Sequence, residues 1–341
     1  MPKMKLQIHT FDLPLRDTFT ISRESHDVQP TLIVELSDGT HSGFGEATAN
    51  PYYQMTVERM RKIVESVRPD IENYSFGTPE DTWAQLHRKV GNYPFVQCAI
   101  DLAMHDLYSR RREQKLYEHW QLDPDRVPIS NYTIGIDRTE RMVEKMRALP
   151  WPIYKIKLGT DRDLTIIEEL RRHTAATFRV DANCGWTAEQ TIAYAPALKK
   201  LGVEFIEHPL PADDWMGMKR VFTESALPVI ADESCQIESD VERCAGHFHG
   251  INIKLTKCGG LTPARRMIAR ARALDLKVMV GCMTESSVGI SAIAHLAPLL
   301  DYVDMDGSLL LREDPTTGVT VTPTGVNFAD GFGTGAALRD I

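Results

Sequence analysis

The sequence is short of several things, and each shortage excludes a class of protein. Its 341 residues hold six cysteines, scattered without paired spacing. That pattern fits reduced thiols in a cytoplasm better than a disulfide framework. Cationic residues are not in excess: 39 Lys and Arg against 47 Asp and Glu give a formal net charge of −8, so there is no basic footprint for nucleic acid. No run approaches the roughly 18 apolar residues of a membrane span, and MPKMKLQIHTFDLPLRDTF at the amino terminus lacks the apolar core of a signal peptide. Low-complexity stretches are missing, as is a full glycine fingerprint for phosphate. The one close histidine pair, His247-x-His249, precedes a strand and lacks the three or four converging ligands of a zinc site. What remains, 43% hydrophobic and 25% charged residues, is the composition of a globular α/β protein.

The chain divides by pattern. Up to residue 128, strands are expected over 3–12, 30–36 and His41–Glu46, with Asp38-Gly39 as a hairpin turn. Helical stretches follow over Met55–Val67, Asp81–Val90 and Pro94–Glu113, an α+β unit. Over 129–310, eight short apolar runs (SNYTIGI, IYKIKLG, TFRVDAN, VEFIEHP, PVIADES, INIKLTK, KVMVGC, YVDMDG) alternate with charged segments of helical period. This alternation predicts βαβ units and a parallel sheet. Eight strands in so short a stretch point to a closed (β/α) barrel, with an open sheet as the alternative. Residues 311–341 form a third, carboxy-terminal segment expected to pack back on the first unit.

The strand ends carry charge in phase with the strands. Lys157, Asp181, Glu207, Asp232 and Lys254 recur at steps of 22 to 26 residues, and Asp304 follows two units later. Charged groups at successive strand carboxyl ends converge on the barrel face where active sites of this fold lie. Three adjacent carboxylates would repel one another unless a cation joins them. All-oxygen ligation favours Mg²⁺, with Mn²⁺ as the second choice. In Lys155-Ile-Lys157 the two side chains share one side of the strand, and Lys254 projects from across the barrel. A lysine whose pKa drops from about 10.4 to roughly 7–8 can serve as a base near neutral pH. One such lysine on each face of a bound carbon suits removal of a proton beside a carboxylate and its return from the other side.

Taken together, KIKLG (155–159), DAN (181–183), EHP (207–209), ADES (231–234) and NIKLTKCGGL (252–261), with GFGEAT and AIDLAMHDL in the first unit, resemble the muconate-lactonizing-enzyme subgroup of the enolase superfamily. The resemblance spans nearly the whole chain. It implies a modified (β/α)₇β TIM barrel under an α+β capping domain, Mg²⁺ on Asp181, Glu207 and Asp232, and Lys157 and Lys254 as the acid/base pair. Asp304-Met-Asp306 and GCMTES (281–286) resemble the dipeptide epimerases, an isomerase group. There the paired aspartates hold the substrate α-ammonium, and Met283 and Thr284 would lie against its backbone. The implied reaction inverts the α-carbon of the dipeptide's carboxy-terminal residue, with L-Ala-D/L-Glu the first substrate to test and cell-wall peptide metabolism the setting if it is accepted. Specificity would come from Phe19–His26 and Asn50–Gln54, with Arg23 and His26 as candidates to meet an acidic side chain and Tyr53 lining the pocket; Lys155 would sit beside the site. His26 and His208 depart from the pattern, His208 standing where many relatives have Gln. An N-acylamino acid racemase, an o-succinylbenzoate synthase, a cycloisomerase and a non-catalytic binding protein are the competing readings. Homo-oligomers are usual among such relatives.

Three smaller features have competing explanations. Cys184, Cys235, Cys258 and Cys282 lie near strand ends, where small thiols commonly fill core space. Cys258-Gly259-Gly260 precedes a helix and offers an anion cradle. Trp186 either walls the site or packs in the core.

Overall fold

The computed structural model describes residues 4–21, 24–73 and 77–340. It begins with a long antiparallel hairpin, β1 (Lys5–Ile21) against β2 (Glu24–Ser37), which β3 (Ser42–Thr48) joins as a third strand. The turn between β2 and β3 is the expected one. Gly39 takes a φ of 91°, and Asp38 Oδ1 accepts the backbone N–H groups of Thr40 and His41 at 2.9 and 2.8 Å, the local bonding that favours Asp in turns. The first two strands run well beyond the expected segments. Phe19–Ile21 and Glu24–His26 are therefore the paired far ends of a β-finger rather than a loop, with Phe19 opposite His26 and Ile21 opposite Glu24. A register shift between Pro14 and Phe19 bends the finger.

Three helices follow: α1 (Val57–Glu72), α2 (Pro79–Val90) and α3 (Pro94–Arg110). α1 continues through Pro69 because a proline in the last turn sacrifices a single hydrogen bond. α3 is buried on nearly every side and lies unusually close to β3. A Cβ on Gly43 would sit 2.3 Å from Leu107 N, and one on Gly45 would sit 2.1 Å from Ala99 O. The glycines of GFGEAT thus admit a helix backbone, and Asp106 Oδ2 completes the contact by accepting Phe44 N–H at 2.9 Å. Gly45→Ala is expected to cost about 3 kcal/mol, the upper end for overpacking, since no rotamer relieves a clash with backbone. The midpoint of urea unfolding measures it, and an unchanged midpoint would show that the two elements can separate freely.

The eight apolar runs all form strands: β4 (Tyr132–Ile134), β5 (Ile153–Lys157), β6 (Thr177–Asp181), β7 (Val203–Glu207), β8 (Val229–Ala231), β9 (Gly250–Ile253), β10 (Lys277–Gly281) and β11 (Tyr302–Asp304). They pair in parallel in sequence order from β4 to β11. The two ends of this sheet meet through side chains. Ser130 Oγ accepts Met305 N–H at 3.0 Å, Asp306 Oδ2 accepts Thr133 N–H, and Asn131 Nδ2 donates to Asp304 Oδ1 at 2.7 Å. No backbone pairing joins β4 to β11 among the described residues. The result is the expected barrel, closed by polar side chains along one seam.

The carboxy-terminal stretch reaches the amino-terminal unit. Leu311 bridges Leu15, Asp106 Oδ1 accepts Thr334 N–H at 2.7 Å, and Ala336 packs with Ile33, Phe44 and Val288. No helix among the described residues is long and apolar enough to cross a membrane.

Candidate active site

Strand register assembles the charged groups. Lys157 pairs with Asp181 across β5 and β6, and Asp181 with Glu207 across β6 and β7. Lys155, two residues before Lys157, points the same way, as strand alternation requires. Its ammonium sits among three carboxylates: Glu207 Oε2 at 2.8 Å, Asp304 Oδ2 at 2.9 Å and Asp181 Oδ2 at 3.2 Å. Lys157 Nζ lies 2.6 Å from Asp181 Oδ2. On the other side, Lys254 Nζ lies 3.1 Å from Asp232 Oδ2, and Lys257 donates to the Asp232 carboxylate and to its carbonyl. Asp181 and Glu207 are fully buried, below a cavity whose walls include Lys155, Lys157, Asp232, Lys254, Asp304 and Asp306.

Burial and charge compete at each group. Burial alone would raise Asp181, but Lys157 and Lys155 outweigh it and hold the carboxyl below its usual range. Burial likewise opposes ionised Asp232, and Lys254 and Lys257 reverse that. Glu207 differs: burial, opposed by Lys155 and reinforced by Asp181, pushes its carboxyl up to about 7. Lys254 is destabilised as an ammonium by burial, yet Asp232 beside it lifts its pKa above the ordinary lysine value. The neutral lysine expected from sequence is therefore not Lys254 in this arrangement.

The remaining groups complete the walls. Asp304 and Asp306 both line the cavity from the end of β11. Burial resists the charge of Asp304 but Lys155 holds it ionised, whereas burial and the neighbouring Asp304 push Asp306 well above the carboxylate range. Asp304 is thus the more readily ionised of the two. Met283 and Thr284 line the cavity after β10, Asn50 and Tyr53 line it from the loop after β3, and Phe19, Ile21, Glu24 and His26 line it from the finger. His26 Nε2 is buried there without a hydrogen-bond partner. Arg23 lies outside the described residues.

Several contributors were not apparent from sequence. Lys257, one helical turn after Lys254 in NIKLTKCGGL, could have been suspected from that spacing. Glu46 of GFGEAT could not. Its buried carboxylate accepts Thr31 Oγ1 (2.8 Å), Ser286 Oγ (2.6 Å) and the N–H groups of Ser286 and Gly289 (3.1 and 3.0 Å). It thereby pins the start of the helix Ser287–Leu296, where a negative charge is favoured, and with it the loop carrying Met283 and Thr284. Glu285, next to Thr284, accepts Met283 N–H at 2.9 Å. Burial, with Glu46 adding to it, raises its carboxyl to about 8, so it serves as a buttress.

Three other sequence candidates are structural. The cradle after Gly260 is filled by Asp101, whose carboxylate accepts Thr262 N–H at 2.8 Å and Thr262 Oγ1 at 2.7 Å. His249 Nδ1 accepts Val229 N–H at 3.1 Å, away from any ligand set. Trp186 is buried and donates to Asp163 at 2.6 Å.

The donor set fits a hard divalent cation. Asp181, Glu207 and Asp232 offer only oxygen, and Glu207 Oε2 is buried without a well-angled hydrogen bond, although Lys155 Nζ is near. The three do not form one of the groups whose ligand atoms lie within 4.8 Å of one another among the described residues; each carboxylate rests on an ammonium group instead.

Two family profiles match the chain. The mandelate racemase / muconate lactonizing enzyme N-terminal domain covers residues 4–119 and the enolase C-terminal domain-like profile covers residues 137–340. The chain is 58% identical over 335 residues to the L-Ala-D/L-amino acid epimerase of Flavobacterium johnsoniae, spanning 98% of this chain and 100% of that protein. Among solved structures, it superimposes on a substrate-liganded complex of the L-Ala-D/L-Glu epimerase from Bacillus subtilis with a TM-score of 0.91 at 26% identity, covering 99% and 100% of the two chains. It also matches the dipeptide epimerase of Enterococcus faecalis V583, complexed with Mg and L-Leu-L-Tyr, with a TM-score of 0.90 at 27% identity over 98% and 99%.

Proposed function

Because this chain belongs to the mandelate racemase / muconate lactonizing enzyme family of the enolase superfamily, we propose that it is a Mg²⁺-dependent dipeptide epimerase. The observation that carries the reading is the shared cavity. Two lysines, Lys157 and Lys254, and the paired acids Asp304 and Asp306 open on one space above buried carboxylates. The 58% identical L-Ala-D/L-amino acid epimerase and the Mg-bound, dipeptide-bound neighbour support it.

In this reading Asp181, Glu207 and Asp232 hold Mg²⁺, which when bound supplies positive charge to the substrate carboxylate as negative charge builds there. Asp304 and Asp306 receive the substrate α-ammonium by charge-assisted hydrogen bonds, while Met283 and Thr284 flank its backbone. Lys157 Nζ and Lys254 Nζ then face opposite sides of the α-carbon of the carboxy-terminal residue. One lysine accepts the α-proton and the other, as an ammonium, delivers a proton to the opposite face. The carbon ends inverted with no net proton gained or lost. Either lysine fills either role according to which epimer is bound, and Lys155 keeps Asp181, Glu207 and Asp304 together. Tyr53 and His26, which line the cavity, contact the substrate side chain. A cytoplasmic location and a homo-oligomeric assembly belong to the same reading, supported by six cysteines outside any disulfide and by the family. Cell-wall peptide metabolism follows only if L-Ala-D/L-Glu is turned over.

The test is incubation with an L,L-dipeptide library in heavy water, with Mg²⁺ and with a chelator. Deuterium is expected at the α-carbon of the carboxy-terminal residue in a subset of dipeptides, and chelation should abolish it. A library that shows no exchange overturns the proposal.

A further inference from the structure

We propose that His208 is a positioning residue that locks Glu207 and Asp232 into one ligand set, rather than a metal ligand itself; the inference rests on the reading above. The cluster invites the opposite view, since Cys184, His208 and Glu233 place ligand atoms within 4.8 Å of one another, a mixture that suits a transition metal. The hydrogen bonds argue otherwise. His208 Nδ1 accepts Asp232 N–H at 2.9 Å, so that nitrogen carries no proton and its lone pair is in use. Its Nε2 lies 3.2 Å from Ser234 Oγ, and Ser234 Oγ donates its own proton to the Ala212 carbonyl at 2.7 Å. Ser234 is therefore the acceptor and Nε2 carries the hydrogen. Both ring nitrogens are committed, one at each end of the Asp232–Ser234 turn.

The backbone of His208 is tied with equal care. Its N–H donates to Ile230 O at 2.9 Å, and its carbonyl accepts Cys184 N–H at 2.9 Å, so it bridges the ends of β6, β7 and β8. It holds a φ of 35°, and Asn183 and Cys184 beside it hold 44° and 65°. Non-glycine residues in this region carry strain that the surroundings must impose. The ring is fully buried and stacks on Phe248 at 5.6 Å. Glu207 directly precedes His208 and Asp232 is its hydrogen-bond partner, so the orientation of this one ring sets the spacing between two of the three carboxylates. Partners that orient metal ligands in this way typically contribute 10- to 100-fold in metal affinity.

A glutamine presents one acceptor and one donor at a spacing close to that of the two ring nitrogens, whereas a phenylalanine fills the same space with neither. Mg²⁺ titration of the full chain by calorimetry without substrate should therefore give His208→Gln an affinity within about threefold of wild type, and His208→Phe one about 10- to 100-fold weaker. Ser234→Ala, which removes only the outer acceptor, serves if His208→Phe does not fold, and should weaken Mg²⁺ severalfold. Nitrogen-15 spectra of the ring should place its proton on Nε2. Unchanged Mg²⁺ affinity in His208→Phe, or in Ser234→Ala where that variant replaces it, overturns the inference. So does a proton on Nδ1, or a second equivalent of Zn²⁺ bound by wild type and lost in His208→Gln. A wild type that binds no Mg²⁺ overturns the metal assignment itself, and this inference with it.

Discussion

Replacing Lys254 with Ala is expected to stop epimerisation while leaving half of the proton exchange intact. Inversion needs a proton removed on one face of the α-carbon and another supplied on the opposite face, so either lysine alone cannot complete it. The remaining Lys157 can still take a proton from the epimer that presents its α-hydrogen to β5, and can return a solvent-derived deuteron to the same face. In heavy water, Lys254→Ala should thus label one epimer without inverting it and leave the other unlabelled. Lys157→Ala should label the opposite epimer only. Interconversion should fall roughly 10² to 10⁴-fold, the usual contribution of a positioned acid or base. The substitution at 254 leaves Lys257 on the Asp232 carboxylate, so the acid keeps a cationic partner. Proton NMR of each pure epimer reads both quantities. Labelling of both epimers by a single-lysine variant would show that the two ammonium groups do not flank the carbon.

The second large effect concerns the substrate amine. Wild type is expected to prefer a free dipeptide over its N-acetyl counterpart, and the double variant Asp304→Asn, Asp306→Asn to lose that preference. Hydrogen bonds to charged groups contribute about 1.5–3 kcal/mol each, so kcat/KM for the free dipeptide should fall about two to four orders of magnitude, with little change for the acetylated compound. The geometry adds a structural cost. Asp304 anchors Lys155 at 2.9 Å and Asn131 at 2.7 Å, and Asp306 accepts Thr133 N–H. Asparagine oxygens can still accept these bonds, but the anion that offsets Lys155 is gone. A modest drop in the unfolding midpoint should accompany the kinetic change. If both substrates lose activity in parallel, the pair is a fastener and not an amine receptor.

Particular residues show what is legible in a sequence of this kind. The barrel strands are, because each is a short apolar run, most of them ending in a polar group, and all eight form where that pattern places them. The charged strand ends converge for the same reason, since parallel strands in sequence order bring their carboxyl ends to one face. The finger is harder to see. Asp12, Pro14, Arg16 and Asp17 break up its apolar alternation, yet β1 continues to Ile21 because β2 pairs with it out to the tip. Contacts distant in sequence are invisible altogether. Glu46 meets Ser286 across 240 positions, and Asn131 meets Asp304 across 173. Nothing local marks Glu46 as the acceptor of four hydrogens rather than a surface acid.

The side-chain seam between the first and last strands has a consequence for anyone reshaping this enzyme. The ring is stitched shut with the same acids proposed to greet the incoming amine, and on that proposal selectivity and architecture are not separable variables there. Converting the scaffold to substrates without an amino group calls for new thread at Thr133 and Lys155 before the old stitches are cut.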